Sequence, residues 1–171
     1  MKKLLTSVVV FCASLLICFN VSAQEKGSKV LGVGLGLNSY YSGGIPLGAY
    51  LEFPVVDNIT VGPMIDYLSY NYASTYKFTS MYLGGRGSYH VNEILKIDND
   101  QLDIYGGLAI GYRSFKWSDS AFSGLSGSYG SGLYYGLFAG ARYYFSGNIG
   151  AFAELGATGS SNLRVGINLK L

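Results

Sequence analysis

The last ten residues, 162–171, read NLRVGINLKL and alternate without a break between aliphatic residues and polar or small ones. Because a β-strand has a period of two, one face of this strand is wholly aliphatic. Similar alternation recurs at roughly ten-residue lengths back to Val30. Transmembrane barrel strands of about 9 to 11 residues show apolar groups to lipid and polar groups to the lumen. The pattern therefore predicts a transmembrane β-barrel.

The first residues have the layout of a secretory signal peptide. Lys2-Lys3 precedes an apolar run over residues 4–19, and Val21-Ser22-Ala23 then suits signal peptidase. We expect cleavage directly after this triplet. Residues 1–23 are then the signal peptide, and residues 24–171 are a single barrel domain.

Two other interpretations of this segment fit less well. The apolar run is short and interrupted by hydroxyl residues, which disfavours an uncleaved anchor. Lipid attachment at Cys18 resembles a pattern that needs a small residue before the cysteine, and Ile17 stands there. Both cysteines, Cys12 and Cys18, leave with the signal, so the mature chain has no thiol chemistry.

The charge of the mature chain disfavours nucleic acid as a partner. The full chain has 12 Lys and Arg residues and 10 Asp and Glu residues, and the predicted signal removes two lysines. The mature chain therefore has a formal net charge of zero and no basic patch. All 25 glycines and all 16 tyrosines lie after the signal. Glycine suits a narrow barrel whose opposite walls nearly touch.

Eight strands are predicted. Their ranges are 30–38, 45–53, 59–67, 79–91, 102–115, 133–145, 149–158 and a last strand reached through residues 159–162. Pro63 cannot donate to a ladder, so we expect a bulge there. The even number puts both chain ends on the periplasmic side. Connections after the second, fourth and sixth strands are then periplasmic turns, and the others face outside.

Aromatic residues collect near the predicted strand ends. On the outside they lie near Tyr40 and Tyr41 and within residues 70–76 and 117–132, and at the opposite strand ends they are Phe53, Tyr89, Tyr143 and Phe145. This distribution predicts two aromatic girdles.

The C-terminal strand carries a family resemblance. A polar residue, a glycine and two hydrophobic residues resemble the signal that the barrel-assembly machinery reads on a last strand: Arg164, Gly166, Leu169 and Leu171. The chain departs from that signal by ending on Leu and not on an aromatic residue. With residues 141–145 (ARYYF) and 150–156 (GAFAELG), residues 30–171 resemble the small OmpA/OmpX-like outer-membrane β-barrel (porin-like) families of Bacteroidetes-type bacteria.

The resemblance implies an all-β fold, namely an eight-stranded antiparallel up-and-down transmembrane β-barrel in the outer membrane of a Gram-negative cell. The implied partners are outer-membrane lipid and, during insertion, the barrel-assembly machinery. We expect a monomer.

The inward phase of the strands collects charges of both signs. These residues are Glu52, Asp66, Arg86, Asp103, Arg113, Arg142, Glu154, Arg164 and Lys170. In a nearly dry lumen such charges must pair. With a tight turn after the sixth strand, Glu154 faces Gly140 directly and Arg142 diagonally, which predicts a Glu154–Arg142 ion pair. The charges form either a structural network or the walls of a narrow solute path. Bulky residues on the same phase favour the closed network.

Few residues suggest other chemistry. Eight-stranded barrels that edit lipid A need a histidine with Ser, Asp or Glu near the outer rim, whereas His90 ends a strand on the predicted periplasmic side. We therefore expect a rim residue and no catalytic, cofactor or metal site. The Asp98-Asn99-Asp100 turn lacks the pattern of a calcium loop. Asp119-Ser120-Ala121 resembles the O-glycosylation sequon of Bacteroidetes-type bacteria.

A soluble lipocalin-like barrel is the rival fold. Its charged surface would lie outside, but 20 charges among 148 mature residues could hardly solvate such an exterior. Three functions remain open from the sequence: a non-enzymatic structural or surface-interaction barrel, which we favour, a small-solute porin, and a lipid-modifying enzyme.

Overall fold

The computed structural model describes residues 28–41, 43–72, 76–117 and 130–171. It has eight strands: β1 (Val30–Ser39), β2 (Leu47–Val56), β3 (Ile59–Tyr72), β4 (Tyr76–His90), β5 (Leu102–Trp117), β6 (Gly132–Tyr144), β7 (Ile149–Gly156) and β8 (Ser161–Lys170). Each strand pairs with the next, and β8 closes on β1, antiparallel throughout. The predicted fold is confirmed. The predicted signal peptide and Ser120 lie outside the described residues.

In the part of the chain that the structure describes, no helix is long and apolar enough to cross a membrane.

The barrel has two different ends. The terminal end carries the beginning of β1, the end of β8 and the connections after β2, β4 and β6. The distal end carries the other four connections. β3, β4 and β5 extend further towards the distal end than the sequence predicts, because β3 and β4 stay paired as far as Tyr72 and Tyr76 and β5 reaches Trp117 opposite Phe78. β7 ends earlier than predicted, at Gly156, whose φ of 135° turns the chain out of the ladder.

The predicted bulge at Pro63 is wrong. Pairs on either side of it, Tyr50 with Met64 and Phe53 with Val61, keep the same register. Pro63 lacks the amide hydrogen, so pairing is interrupted there, but no residue is inserted. The register shift lies instead between Pro54 and Val56, next to the turn into β3.

The exterior is apolar on the predicted phase. Ile110 is 60% exposed, Val33 56% and Ile167 53%. Exposing such a continuous aliphatic belt to water would be unfavourable, whereas acyl chains of lipid cover it at no cost in free energy. At the terminal end the exposed aromatics include Tyr89, Tyr143 and Phe145, as predicted.

The distal aromatics agree with the prediction in part. Tyr40 is exposed, as predicted, and the strand residues Tyr67, Tyr112 and Tyr135 are exposed on the lipid face as well. Tyr41, predicted in the girdle, is only 8% exposed and points into the barrel. The period-two pattern ends at the strand boundary, so it could not predict the direction of a loop side chain such as Tyr41.

Candidate functional site

The lumen contains a buried cluster of charges near the terminal end, which we call the terminal cluster. It consists of one inward residue from each of five strands: Glu52, Arg86, Asp103, Arg142 and Glu154. All except Asp103 are at most 3% exposed. Alternate residues of each strand point inward, so these five side chains meet near the barrel axis.

Two arginines hold three carboxylates in this cluster. Arg86 places Nε 2.8 Å from Glu52 Oε1 and Nη2 2.7 Å from Glu154 Oε1. Arg142 donates through Nη2 to Glu52 Oε2 and through Nη1 to Asp103 Oδ2, the latter at 3.2 Å. Glu52 thus bridges both guanidinium groups. The result is one continuous ionic chain across the lumen.

The predicted Glu154–Arg142 pair is wrong. Glu154 does face Gly140 across the β6–β7 ladder, as predicted. Its carboxylate, however, reaches across the lumen to Arg86 on β4 and also accepts a hydrogen bond of 2.8 Å from the Tyr105 hydroxyl. A ladder neighbour is therefore not the ion-pair partner.

Neutral side chains complete the terminal cluster. The Ser88 hydroxyl donates to Glu52 Oε1 at 2.7 Å. The Arg86 guanidinium lies 4.0 Å from the centre of the Tyr50 ring, and that of Arg142 lies 4.0 Å from the Tyr105 ring. These cation–π contacts add to the attraction that each desolvated guanidinium has to its carboxylates. Sequence analysis missed these partners as contacts, although they share the inward phase.

Inward glycines make room for these rings. A Cβ at Gly32 would lie 2.2 Å from Cζ of Tyr50, and one at Gly140 would lie 2.7 Å from Cζ of Tyr105. Such distances are far inside van der Waals contact, so any larger residue would displace the ring. The glycine-rich phase of the sequence is what allows so narrow a barrel to hold two tyrosines beside two arginines.

A second ion pair lies further towards the distal end. Arg164 donates through Nη2 to Asp66 Oδ2, and the Ser160 amide donates to Asp66 Oδ1 at 2.9 Å. Both side chains of the ion pair are at most 1% exposed. A buried apolar group separates this pair from the terminal cluster, with members that include Met64, Phe138 and Phe152. Seven of the nine predicted lumen charges therefore form two separate groups.

Two of the predicted lumen charges stand apart. Arg113 donates to the Gly130 carbonyl through Nη2 at 2.8 Å and through Nε at 3.2 Å, and forms no ion pair with another described residue. Lys170 holds its Nζ 3.8 Å from the centre of the Tyr144 ring at the terminal mouth. Both are inward, but neither joins the two groups.

Aromatic side chains fill the distal part of the lumen; we call them the distal aromatic cluster. Its residues are Tyr41, Leu68 and Phe78, packed against Tyr70, Phe115 and Trp117. The Phe78 ring lies 5.3 Å from Tyr41, 5.4 Å from Phe115 and 5.6 Å from Trp117 between centres. These are ordinary aromatic packing distances.

The residues of the predicted assembly signal have mixed positions. Leu169 and Leu171 are exposed on the lipid phase, at 37% and 62%. Gly166 pairs with Gly34, and a Cβ on it would lie 2.2 Å from the Val33 carbonyl oxygen. Arg164 points inward to Asp66, so it also belongs to the folded lumen.

His90 lies at the terminal mouth in a chain of hydrogen bonds. Its Nδ1 is 2.7 Å from Asp103 Oδ1, and its Nε2 is 3.1 Å from Thr60 Oγ1. These residues line a cavity of about 350 Å³. Acid, imidazole and hydroxyl have the order of a catalytic triad. However, Thr60 is 8% exposed and sits within the β3 ladder, where backbone amides are engaged in pairing and cannot serve an oxyanion.

No three His, Cys, Asp or Glu side chains among the described residues form a group that could hold a metal ion.

Comparisons with known proteins identify the fold. No protein-family profile and no curated protein matches the sequence. Among solved structures, Ail of Yersinia pestis in a phospholipid nanodisc is similar with a TM-score of 0.55 and 12% identity, over 85% of this chain and 100% of that one. Neisserial surface protein A has a TM-score of 0.52 and 12% identity, with coverage of 84% and 95%.

The N-terminal β-barrel domain of Pseudomonas aeruginosa OprF has a TM-score of 0.50 and 16% identity, over 84% of this chain and 98% of that one. All three are small outer-membrane barrels, and each is covered almost completely. With the apolar exterior, the shared fold identifies the chain as an eight-stranded transmembrane β-barrel of the outer-membrane type.

Proposed function

We propose that this chain is a non-enzymatic integral outer-membrane protein, OmpA/OmpX-like and of the Bacteroidetes type, with a structural or surface-interaction role and a lumen closed by its own side chains. The observation that carries the proposal is the terminal cluster, in which four of the five charges are at most 3% exposed. A conducting pore would need these charges to face water.

The filled lumen supports this role over a solute path. From the terminal end, a solute would meet the terminal cluster, then the apolar group around Phe138, then the Asp66–Arg164 pair and the distal aromatic cluster. Each layer is packed from several strands, so opening one would leave the others closed. Eight-stranded barrels leave an interior that side chains fill.

A structural reading also fits His90 better than catalysis. Its ring lies at the mouth of the barrel and is hydrogen-bonded to both Asp103 and Thr60. Asp103 also forms an ion pair with Arg142. This arrangement anchors the rim to the terminal cluster. The proposal includes no cofactor and no nucleic-acid partner.

Export and membrane insertion complete the proposed function. Residues 1–23 would export the chain, and the last strand would be read by the barrel-assembly machinery. The inserted barrel would be a monomer in outer-membrane lipid, with the terminal end in the periplasm. Loops at the distal end would then carry any contact with the surroundings of the cell.

Single-channel recording in a planar bilayer tests the closed lumen. We expect the refolded wild-type barrel to give no reproducible openings, because the buried ion pairs block the axis. As a sensitivity control, an open porin is recorded in the same bilayer. A Glu52→Ala/Arg86→Ala variant that remains folded by its gel shift on heating should stay closed, because the apolar group, the Asp66–Arg164 pair and the distal aromatic cluster still fill the axis. Reproducible wild-type openings would favour the porin alternative. A lipid A mass spectrum from a deletion strain addresses the enzyme alternative.

A further inference from the structure

The connection between β4 and β5 differs from the other turns at the terminal end. It spans residues 91–101, whereas the β2–β3 turn is residues 57–58 and the β6–β7 turn is residues 145–148. Its tip exposes two aliphatic side chains, Ile94 at 64% and Leu95 at 55%. These fractions match those of the lipid-facing aliphatics on the strands, such as Ile110 at 60%.

Hydrogen bonds hold this turn in one conformation. The Leu95 amide donates to the Val91 carbonyl at 2.9 Å, which closes one helical turn, and the Ile97 amide donates to the Asn92 carbonyl at 2.9 Å. The Asn92 side chain accepts from the Ile104 amide at 2.7 Å and donates to the Leu102 carbonyl, so it ties the turn to β5. The exposed pair is therefore presented by a fixed scaffold.

The carboxylate nearest the tip is directed towards a neighbouring turn. Glu93 precedes the aliphatic pair, and its carboxylate accepts a 2.6 Å hydrogen bond from Asn58 in the neighbouring β2–β3 turn. Lys96 follows the pair and is exposed. The tip thus presents two aliphatic side chains followed by a cation, which suits the boundary between acyl chains and lipid phosphates.

The depth of the tip agrees with this boundary. Tyr89, which is 40% exposed, belongs to the terminal aromatic girdle and lies two residues before Val91. Two strand residues advance about 6.6 Å, so the turn begins within a headgroup region that extends roughly 5 to 7 Å beyond the hydrocarbon core. Ile94 and Leu95 follow within one helical turn of about 5.4 Å, which is close enough for a side chain of the turn to reach back to the headgroups.

We propose that Ile94 and Leu95 form an interfacial anchor that inserts into the lipid leaflet at the terminal end of the barrel. The partner is a lipid surface, and the inference rests on the proposed insertion of the barrel in a membrane. The anchor fixes the height of the terminal end against the bilayer.

Tryptophan fluorescence tests the anchor, because the chain has a single tryptophan, Trp117. In a Trp117→Phe background, Ile94→Trp is compared with Asp98→Trp, an exposed position in the same turn. Each full barrel is refolded into phosphatidylcholine vesicles with and without shallow brominated acyl chains. We expect Ile94→Trp to show a blue shift and to lose most of its emission to bromine, and Asp98→Trp to show neither.

An Ile110→Trp variant in the same background reports insertion of the barrel itself. If Ile110→Trp is quenched and Ile94→Trp behaves like Asp98→Trp, the anchor is wrong while the proposed membrane barrel stands. If Ile110→Trp is not quenched, insertion fails and the anchor fails with it. Leu95→Trp repeats the measurement at the second position, so that the result does not depend on one substitution.

Discussion

The two halves of the lumen are closed by different chemistry. The terminal half is closed by charges that reach across the axis, with Glu52 joined to both Arg86 and Arg142. The distal half is closed above the Asp66–Arg164 pair by rings, with Phe78 in contact with Tyr41, Phe115 and Trp117. Both halves exclude solvent, but they differ in how strictly they specify the positions of the strands.

Charges specify position more strictly because a buried charge without its partner is costly, whereas a displaced ring still makes apolar contacts. The terminal cluster draws one residue from each of five strands and so constrains how the barrel closes. The distal aromatic cluster fills a mouth whose strands differ in length. A change in the first half should therefore destabilise the barrel more than a change of similar size in the second.

The largest expected effect comes from Arg86→Met. This change removes the group that joins Glu52 to Glu154 and leaves two buried carboxylates short of a partner. The free energy of unfolding should fall by about 3 to 5 kcal/mol, as for other broken buried pairs. Urea titration in lipid vesicles measures the loss.

Arg113→Met is the matched control for Arg86→Met. It makes the same chemical change at an inward arginine that contacts the Gly130 carbonyl and is not buried. We expect a loss of about 1 kcal/mol. Equal losses in the free energy of unfolding would contradict the expectation that the terminal half is more sensitive to substitution than the distal half.

A double-mutant cycle should identify the true partner of Glu154. Arg86→Met combined with Glu154→Gln should show a coupling energy of about 1 to 3 kcal/mol, because the two side chains are in direct contact. Arg142→Met combined with Glu154→Gln should show a smaller coupling, since these residues are linked only through others. The same urea titrations supply both cycles. A larger coupling for Arg142 would restore the pairing that the sequence predicts.

A smaller loss than that of Arg86→Met is expected for Phe78→Leu in the distal aromatic cluster. Leucine keeps most of the apolar volume and loses the ring contacts, which should lower the free energy of unfolding by about 1 to 2 kcal/mol. Met81→Leu, a change on the exposed lipid face of the same strand, is the control and should be near neutral. A loss from Phe78→Leu as large as that from Arg86→Met would show that the distal half specifies the positions of the strands as strictly as the terminal half does.

The fold could be predicted from the sequence because lipid imposes a local rule. Every second residue of a strand must be apolar, so each strand can be recognised from about ten residues of sequence. The number of strands, the face that each turns to lipid and the closure of the barrel follow from this local pattern. Register across a short turn could be predicted too, as Glu154 opposite Gly140 shows. The lengths of β3, β4 and β5 could not, because their distal ends depend on pairing and ring contacts beyond the apolar belt.

Partners across the lumen could not be predicted from spacing. Glu154 is on β7 and Arg86 is on β4, so their contact depends on how far the sheet shears before it closes. Which residues pair in a ladder can be worked out by counting from a short turn. Which residues meet across the lumen cannot be worked out in this way. The failed bulge at Pro63 has a similar origin: a proline interrupts hydrogen bonding, and whether a residue is inserted depends on both neighbouring strands.

The glycines that accommodate the lumen rings also restrict how this barrel can change over evolutionary time. Gly140 and Tyr105 face each other across the β5–β6 ladder, and Gly32 and Tyr50 do so across β1–β2. A methyl group at either glycine requires a smaller residue at its tyrosine, and losing Tyr105 removes a hydrogen bond to Glu154. Each glycine and its tyrosine are therefore expected to change together during evolution. In diverged descendants of this chain, the two positions of a pair should be replaced together or not at all.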